Sequence, residues 1–447
     1  MYSDADLRRF ATEPAVHFGP DREAMHTLDP AELADLHLAA VRLRLRELRE
    51  RVPALAALAD AHGVRDVERL DDVAPLLYPT GTYASYPAEA VREGRFDLLT
   101  EWLAGLTTVD LSTVDASGCD SIDAWLDLLD TRTELRVAHS ADCSGTMAFV
   151  PHTATQYERV HEVLRLDVLP AGDRTGVDVV WPGFARARTG LGRHATALAR
   201  HVAGTPDRFH ALYPGTLSAD LVHLAGRLRA AEGGPVEVSP APAARLEEFA
   251  ALRDPTAVER FLGRLADTLR GVRVAVLGRW DAFNDLADGG KGNLFGAESV
   301  ILPACGGTNG VPRERWEHRV ARFAGVPALR PRYTALEAVA LHPRCHAHGY
   351  HLEPWIVPFL LDPRTGAALP RDGVRTGRAA FHDLTAEHHW GGFVTGDRVT
   401  VDHSPCGCGR STPRILGEIG RYDGGVGSTA NAAALNDALD VLTGALV

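Results

Sequence analysis

The chain is 447 residues long, too long for one compact core, so two or three structural units are expected. Its composition, 45% hydrophobic and 24% charged, is that of an ordinary globular protein. A net charge of −12 with no long basic run argues against a nucleic-acid backbone as partner, and no run of about 18 apolar residues marks a membrane span. The charged N-terminus, MYSDADLRRF, lacks the apolar core of a signal peptide. Six cysteines are too few for a disulfide scaffold. A cytoplasmic location is therefore expected, with the cysteines as free thiols or metal ligands.

In chain order, residues 29–63 read as helix. Asp29 is an N-cap, Pro30 suits the first helical position and Glu32 completes a capping box. Leu33, Leu36, Val41 and Leu45 share a face, Pro53 breaks the run and Gly63 closes it. The arginines of VRLRLRELRER alternate with Leu and Glu, the pattern of a solvated helix face. LYPTGTYASYP (77–87) is loop, and helices follow near 97–105 and 121–130. The middle alternates strands at 176–183, 272–280 and 299–307 with helices near 193–203, 217–231 and 256–269, which favours an α/β sheet. Residues 232–242 read as an exposed loop, the texture turns β-rich from 356, and 431–442 reads as a short helix.

Five stretches carry chemistry. In PCGCG and CHAHGYH, Cys406 and Cys408 on a tight turn, with Cys345 and His351 on a separate segment, suit tetrahedral zinc; His346 and His348 are rival ligands. CGGTNG (305–310) follows the apolar strand SVILPA, where a glycine loop lets a planar ring or phosphate approach the backbone. Glu337 in RYTALEAVAL could hold Mg²⁺ beside a triphosphate, against the alternative of a helix-surface glutamate. Asp397 in FVTGDRVTVD is placed to accept from two ribose hydroxyls, or is a plain hairpin aspartate. In HSADCSGTMAFVP, Ser144-Gly145-Thr146 could open a phosphate-gripping loop, but the continuation is Met147-Ala148.

The order of these pieces, ending with Gly420-Arg421-x-Asp423, resembles the adenylate-forming enzymes. The nearest branch is the one that holds phenylacetate–coenzyme A ligase and the acyl-protein synthetase of bacterial luciferase systems. The resemblance runs from about residue 35 to 442. It implies that Ser144, Gly145 and Thr146 begin the phosphate loop and that Gly306, Gly307 and Thr308 pack on adenine. Tyr333 would stack near the adenine, Glu337 would be linked to Mg²⁺, Asp397 would bind the ribose, and Arg421 would lie at the junction with a C-terminal domain. Thr146 and Glu337 would be the catalytic pair. Some relatives bind zinc through Cys-x5-His and Cys-x-Cys, which implies a structural Zn²⁺ on Cys345, His351, Cys406 and Cys408.

The fold implied is α/β: a large N-terminal domain of mixed sheets and helices over 1–355, a β-rich subdomain over 356–420, and a vestigial piece of the C-terminal domain over 421–447. The activity implied is ATP-dependent conversion of a small carboxylic acid to an acyl-adenylate, then transfer to a carrier protein, partner enzyme, amine or thiol. A carboxylate is a poor electrophile, and phosphoryl chemistry of this kind needs charge neutralisation and positioning more than a protein nucleophile. Two departures stand out. Met147-Ala148 replaces the usual Thr-Gly with no lysine nearby, and the C-terminal domain with its adenylation lysine is missing. They motivate the alternative of a catalytically silent binding or scaffold subunit. Cys143 and Cys305 border the two loops, Lys291 lies in GGKGN, and Arg186, Arg188 and His194 fall where the family builds its acyl pocket.

Overall fold

The computed structural model describes residues 2–140, 146–169, 173, 175–234, 236, 238, 246, 249, 252–290, 292–304, 313–422 and 432–443. Helices α1 (Asp4–Thr12) and α2 (Pro14–Phe18) precede the long α3 (Pro30–Leu48). Asp29 caps α3 by accepting from the N–H groups of Ala31 and Glu32, with Pro30 in the first turn. Among the described residues the Glu32 carboxylate makes no bond back to Asp29, so the capping box is half formed. The chain leaves the helix at Leu48, and α4 (Pro53–Ala61) starts on the proline that separates the two.

The arginine face of α3 is not wholly solvated. Arg44 is 2% exposed and donates through Nε and Nη2 to the Leu384 carbonyl, both at 3.0 Å. The alternation of Arg with Leu hid it, because on a 3.6-residue period Arg44 shares the face of Leu33, Leu36, Ala40 and Leu48, all buried.

Helices α5 (Ala88–Arg92), α6 (Phe96–Ala104) and α7 (Ile122–Arg132) lead to an antiparallel hairpin, β1 (Ala138–His139) with β2 (Phe149–Val150), and then to α8 (Ala154–Leu164). A parallel sheet follows in the order β4-β3-β5-β6, made of β3 (Asp178–Arg186), β4 (Phe209–Thr216), β5 (Val274–Gly278) and β6 (Val300–Pro303). Its connections carry α9 (Gly190–Leu198), continued as a π-helical turn over Ala199–Ala203, then α10 (Ala219–Ala230), α11 (Ala257–Leu269) and α12 (Trp280–Gly289). Strand β4 escapes a hydrophobicity reading: FHALYPGT contains His, Pro and Gly and lies at the sheet edge, half exposed.

After α13 (Arg313–Ala324) come the short pair β7 (Arg332–Tyr333) and β8 (His342–Pro343) and a five-stranded antiparallel sheet. Its order is β10-β11-β12-β13-β9, from β9 (Tyr350–His351), β10 (Ile356–Leu361), β11 (Val374–Asp383), β12 (Gly392–Asp402) and β13 (Arg414–Arg421). The sheet therefore begins before residue 356, since β9 pairs with Arg414 and Ile415. The last helix, α14 (Ala432–Leu442), buries Leu435, Ala438 and Leu439 in one core cluster with α7, α10 and the β2 residue Phe149. A larger cluster joins α3 and α8 to both sheets.

Two helix starts brace each other. Asp220 accepts from the N–H groups of Ile122 and Asp123, both at 2.9 Å. Asp123 in turn accepts from the Ala219 N–H at 2.9 Å and from the Ser218 hydroxyl. Each helix opens with Ser-x-Asp, so the serine caps its own helix and the aspartate caps the other. Burial and the neighbouring Asp123 push the Asp220 carboxyl up. Asp123→Ala is expected to lower the unfolding free energy in urea by about 2 kcal/mol, since it strands a buried hydroxyl and a helix-start N–H.

Candidate functional site

The site is built on residues 332–339, the segment that follows the carboxyl edge of the parallel sheet. Ala304, just past β6, bridges to Arg332, and its N–H donates to the Gly278 carbonyl at the end of β5. Ligands of open parallel sheets bind at this edge. The glycine loop read from the sequence leaves from Ala304; Cys305, Gly306, Gly307 and Thr308 lie outside the described residues.

Tyr333 is 6% exposed, with its ring near those of His342, Tyr350 and Phe381. Its hydroxyl donates to Asp397 Oδ2 at 2.9 Å, and Arg421 Nη1 donates to Asp397 Oδ1 at 2.8 Å. Asp397 is not at a hairpin turn. It lies inside β12, directly opposite Arg421 on β13, so the ion pair is a cross-strand pair fixed by register. A register shift between Arg398 and Thr400 re-aims this end of the ladder. Each oxygen of Asp397 uses one acceptor position in these bonds, and a carboxylate offers about four.

Glu337 is on neither a helix nor a strand. It follows β7 in the turn over 334–340 and is partly buried. Burial, with Asp397 adding to it, pushes its carboxyl up to about 7. Its own backbone N–H lowers the carboxyl in part, and among the described residues the side chain makes no hydrogen bond or ion pair with another residue. Tyr333, Glu337, Asp397 and Arg421 are thus brought together as the sequence order implies.

The phosphate-loop candidate is the loop of the β1–β2 hairpin. Ser140 closes its base, donating from its N–H to the Ala148 carbonyl at 3.0 Å and accepting from the Ala148 N–H on Oγ at 2.9 Å. Cys143, Ser144 and Gly145 lie outside the described residues. Thr146 is exposed and lines a cavity of about 780 Å³ with Tyr86, Ser121, Asp220, His223 and Arg227. Tyr333, Glu337, Asp397 and Arg421 do not line that cavity. Met147 is fully buried, and its carbonyl accepts from the Tyr86 hydroxyl at 2.9 Å.

The residues read from the sequence as acyl-pocket candidates have structural partners. Arg188 pairs with Asp127 and Asp130 of α7, Arg186 donates to Thr216 at 2.9 Å, and His194 is buried 3.3 Å from His161. Lys291 and Asp423 lie outside the described residues.

The sulfur and imidazole ligands converge. Cys345, His351, Cys406 and Cys408 offer donor atoms all within 4.8 Å of one another. Cys345 Sγ is 3.9 Å from Cys406 Sγ, and Cys408 Sγ is 3.3 Å from His351 Nε2. A zinc tetrahedron with Zn–S near 2.3 Å has S···S edges of roughly 3.8 Å, so the spacing fits the ion. Gly409, at φ +94°, closes the turn that presents the two cysteines, its N–H donating to the Cys406 carbonyl. His351 Nδ1 lies 3.1 Å from the Thr412 carbonyl, which leaves Nε2 to the cluster. His346 and His348 are exposed and outside it.

The fold is similar to that of a solved CoA ligase. An open form of 2-hydroxyisobutyryl-CoA ligase in complex with 2-HIB-AMP and CoA aligns with a TM-score of 0.55 over 91% of this chain and 74% of that one, at 14% identity. The same ligase in its postadenylation state with R3-HIB-AMP gives 0.55 over 91% and 72%, at 16% identity. No family model and no curated protein matches the sequence. No helix among the described residues is long and apolar enough to cross a membrane.

Two predictions follow from the geometry. A metal on the four-ligand site would tie β9 to the 406–412 turn, so purified protein should carry about one zinc, and chelation should lower its melting temperature. Cys408→Ser should lose the zinc and the chelator response together, read by metal analysis and calorimetry. The second concerns pH. A carboxylate raised to about 7 is neutral below that pH and charged above it. Any metal-dependent nucleotide binding that uses Glu337 should therefore strengthen as pH rises through 7, and Glu337→Gln should flatten this limb of the profile.

Proposed function

We propose that the chain is an ATP-dependent ligase that activates a small carboxylic acid as its acyl-adenylate and passes the acyl group to a thiol, an amine, a carrier protein or a partner enzyme. The observation that carries this reading is the Tyr333–Asp397–Arg421 cluster beside Glu337, whose carboxylate bonds no other described residue, on a fold shared with a ligase solved with acyl-AMP compounds. Asp397 would accept from the ribose hydroxyls on its unused lone pairs. Tyr333 would face the adenine, and backbone from the 306–308 loop would cover it.

The acid's carboxylate oxygen would attack the α-phosphorus. The bond to the bridging oxygen then breaks, and pyrophosphate leaves with the electron pair. Ser144, Gly145 and Thr146 would grip the departing phosphates through N–H and hydroxyl donors. Mg²⁺, when bound, would neutralise charge on the triphosphate, and Glu337 would be the carboxylate that holds it. The cavity beside Thr146, with Phe96, Ile122 and Leu224 in its wall, would take the carbon chain of the acid. Zinc at Cys345, His351, Cys406 and Cys408 would be structural, with all four positions filled by protein.

Met147 favours a second reading. Where the family pattern has a loop hydroxyl, this chain buries a methionine in its core, so the grip on a triphosphate is reduced. A nucleotide-binding subunit without turnover would have this feature.

Calorimetry with AMP and MgATP, paired with acid-dependent ATP–pyrophosphate exchange, tests both. The wild type should bind both nucleotides, and Asp397→Ala should weaken AMP by roughly ten- to a hundredfold, the worth of hydrogen bonds to a charged acceptor. Exchange with a panel of carboxylic acids supports the ligase, and binding without exchange supports the silent subunit. No nucleotide binding by zinc-loaded protein sinks both.

A further inference from the structure

Glu337 sits on a turn, and a turn holds a side chain in place only if its backbone is anchored. Two anchors flank it. On one side the Leu336 carbonyl lies 2.9 Å from His152 Nε2; on the other the Val339 N–H donates to Asp383 Oδ2 at 2.9 Å. Gln156 bonds to the Asp383 anchor and packs against His152. Its Nε2 donates to Asp383 Oδ2 at 3.2 Å and to Thr385 Oγ1 at 3.0 Å, while its Oε1 lies 3.3 Å from His152 Nδ1. The other oxygen of Asp383 accepts from the Thr385 N–H at 2.9 Å and hydroxyl at 2.6 Å.

All four side chains are 3% exposed or less, on three separate pieces of the fold: the exit of β2, the first turn of α8 and the end of β11. Burying such a chain costs desolvation that apolar packing avoids, and burial pushes the Asp383 carboxyl up to about 6. Two of this chain's bonds go to backbone groups that flank a single carboxylate, one on each side. His152 also lies two residues past β2, so the imidazole that ends the phosphate-loop hairpin is the one that grips the Glu337 turn.

We propose that Asp383, Gln156 and His152 are positioning residues that hold the Glu337 carboxylate in register with the phosphate-loop hairpin, ready for a divalent cation on a bound triphosphate. The cation's place rests on the ligase reading; the grip on the turn does not. Asp383→Asn keeps the shape but sets an N–H₂ against one of the N–H or O–H donors that the carboxylate now accepts. Gln156→Leu removes the amide bonds to Asp383 and Thr385 while leaving both anchors.

Each variant would be compared with wild type in three measurements: AMP binding without metal, the Mg²⁺ concentration for half-maximal pyrophosphate exchange, and amide hydrogen exchange over 334–341. The expected result is AMP affinity within about twofold, a Mg²⁺ requirement raised about tenfold, and exchange at Val339 faster by about tenfold in Asp383→Asn, as for loss of one hydrogen bond. Unchanged Val339 exchange in a folded Asp383→Asn overturns the proposal, as does an equal loss of AMP and MgATP binding in both variants. If the wild type binds no nucleotide, the ligase reading fails, and the proposal fails with it as to the cation; hydrogen exchange then decides the grip on the turn by itself.

Discussion

The cross-strand pair of Asp397 and Arg421 fixes the site more than any other contact. It is set by the β12–β13 register, so a slip of one residue would send both side chains to opposite faces. Tyr333 reaches the same carboxylate from β7, which is itself tied to the carboxyl edge of the parallel sheet through Ala304. The parallel and antiparallel sheets therefore meet at one aspartate. What binds there would be read by both at once, and the glycine loop and the Glu337 turn are the two ends of the β6-to-β8 passage that the meeting point holds.

Behind this lies a buried ionic layer. Arg22 pairs with Glu353 and with Asp167, and Asp167 pairs with Arg332, the residue next to Tyr333. His26 lies 3.6 Å from Glu353 and shares the Thr412 hydroxyl with His351 of the cysteine cluster. Arg410, in the cysteine turn, pairs with Glu23. The segment around residues 22–26 is thus sewn to the cysteine turn on one side and to β7 on the other. Removing one charge from such a layer leaves its partner buried and uncompensated, which is costlier than the intact pairs are stabilising. The cysteine turn and β7 are connected through ordinary buried hydrogen bonds and ion pairs.

Much of this was legible in the sequence, and the reasons are physical. Helices α6, α7, α10 and α11 follow from 3.6-residue apolar spacing, and β5 and β6 from short, β-branched runs buried on both faces. The cysteine cluster was legible because thiolate and imidazole spacing has few other uses. Asp397 and Glu337 were singled out by order, but their settings were not legible: Asp397 is mid-strand and not at a turn, and Glu337 lies in a turn, which rules out the alternative of a helix-surface glutamate. Arg44, Asp383, Gln156 and the Asp123–Asp220 brace were missed. Each is a polar residue whose partner is far away in the chain, and local periodicity carries no information about such pairs. The repeated Ser-x-Asp at two helix starts was the one available signal, and it reads locally as two separate caps.

Met147 shows how a departure from a motif can be structural and functional together. Its side chain fills the cluster that joins α7, α10 and α14, and its carbonyl is held by Tyr86. The exit of the loop is therefore anchored by packing and by a backbone bond, where a threonine and glycine would leave a hydroxyl and a freer backbone. Thr146 stands next to this anchor at the cavity rim, where in the ligase reading it would be one donor of few, and fewer donors hold a triphosphate less tightly. The Glu337 turn is built alike: its backbone is anchored on both sides by buried side chains.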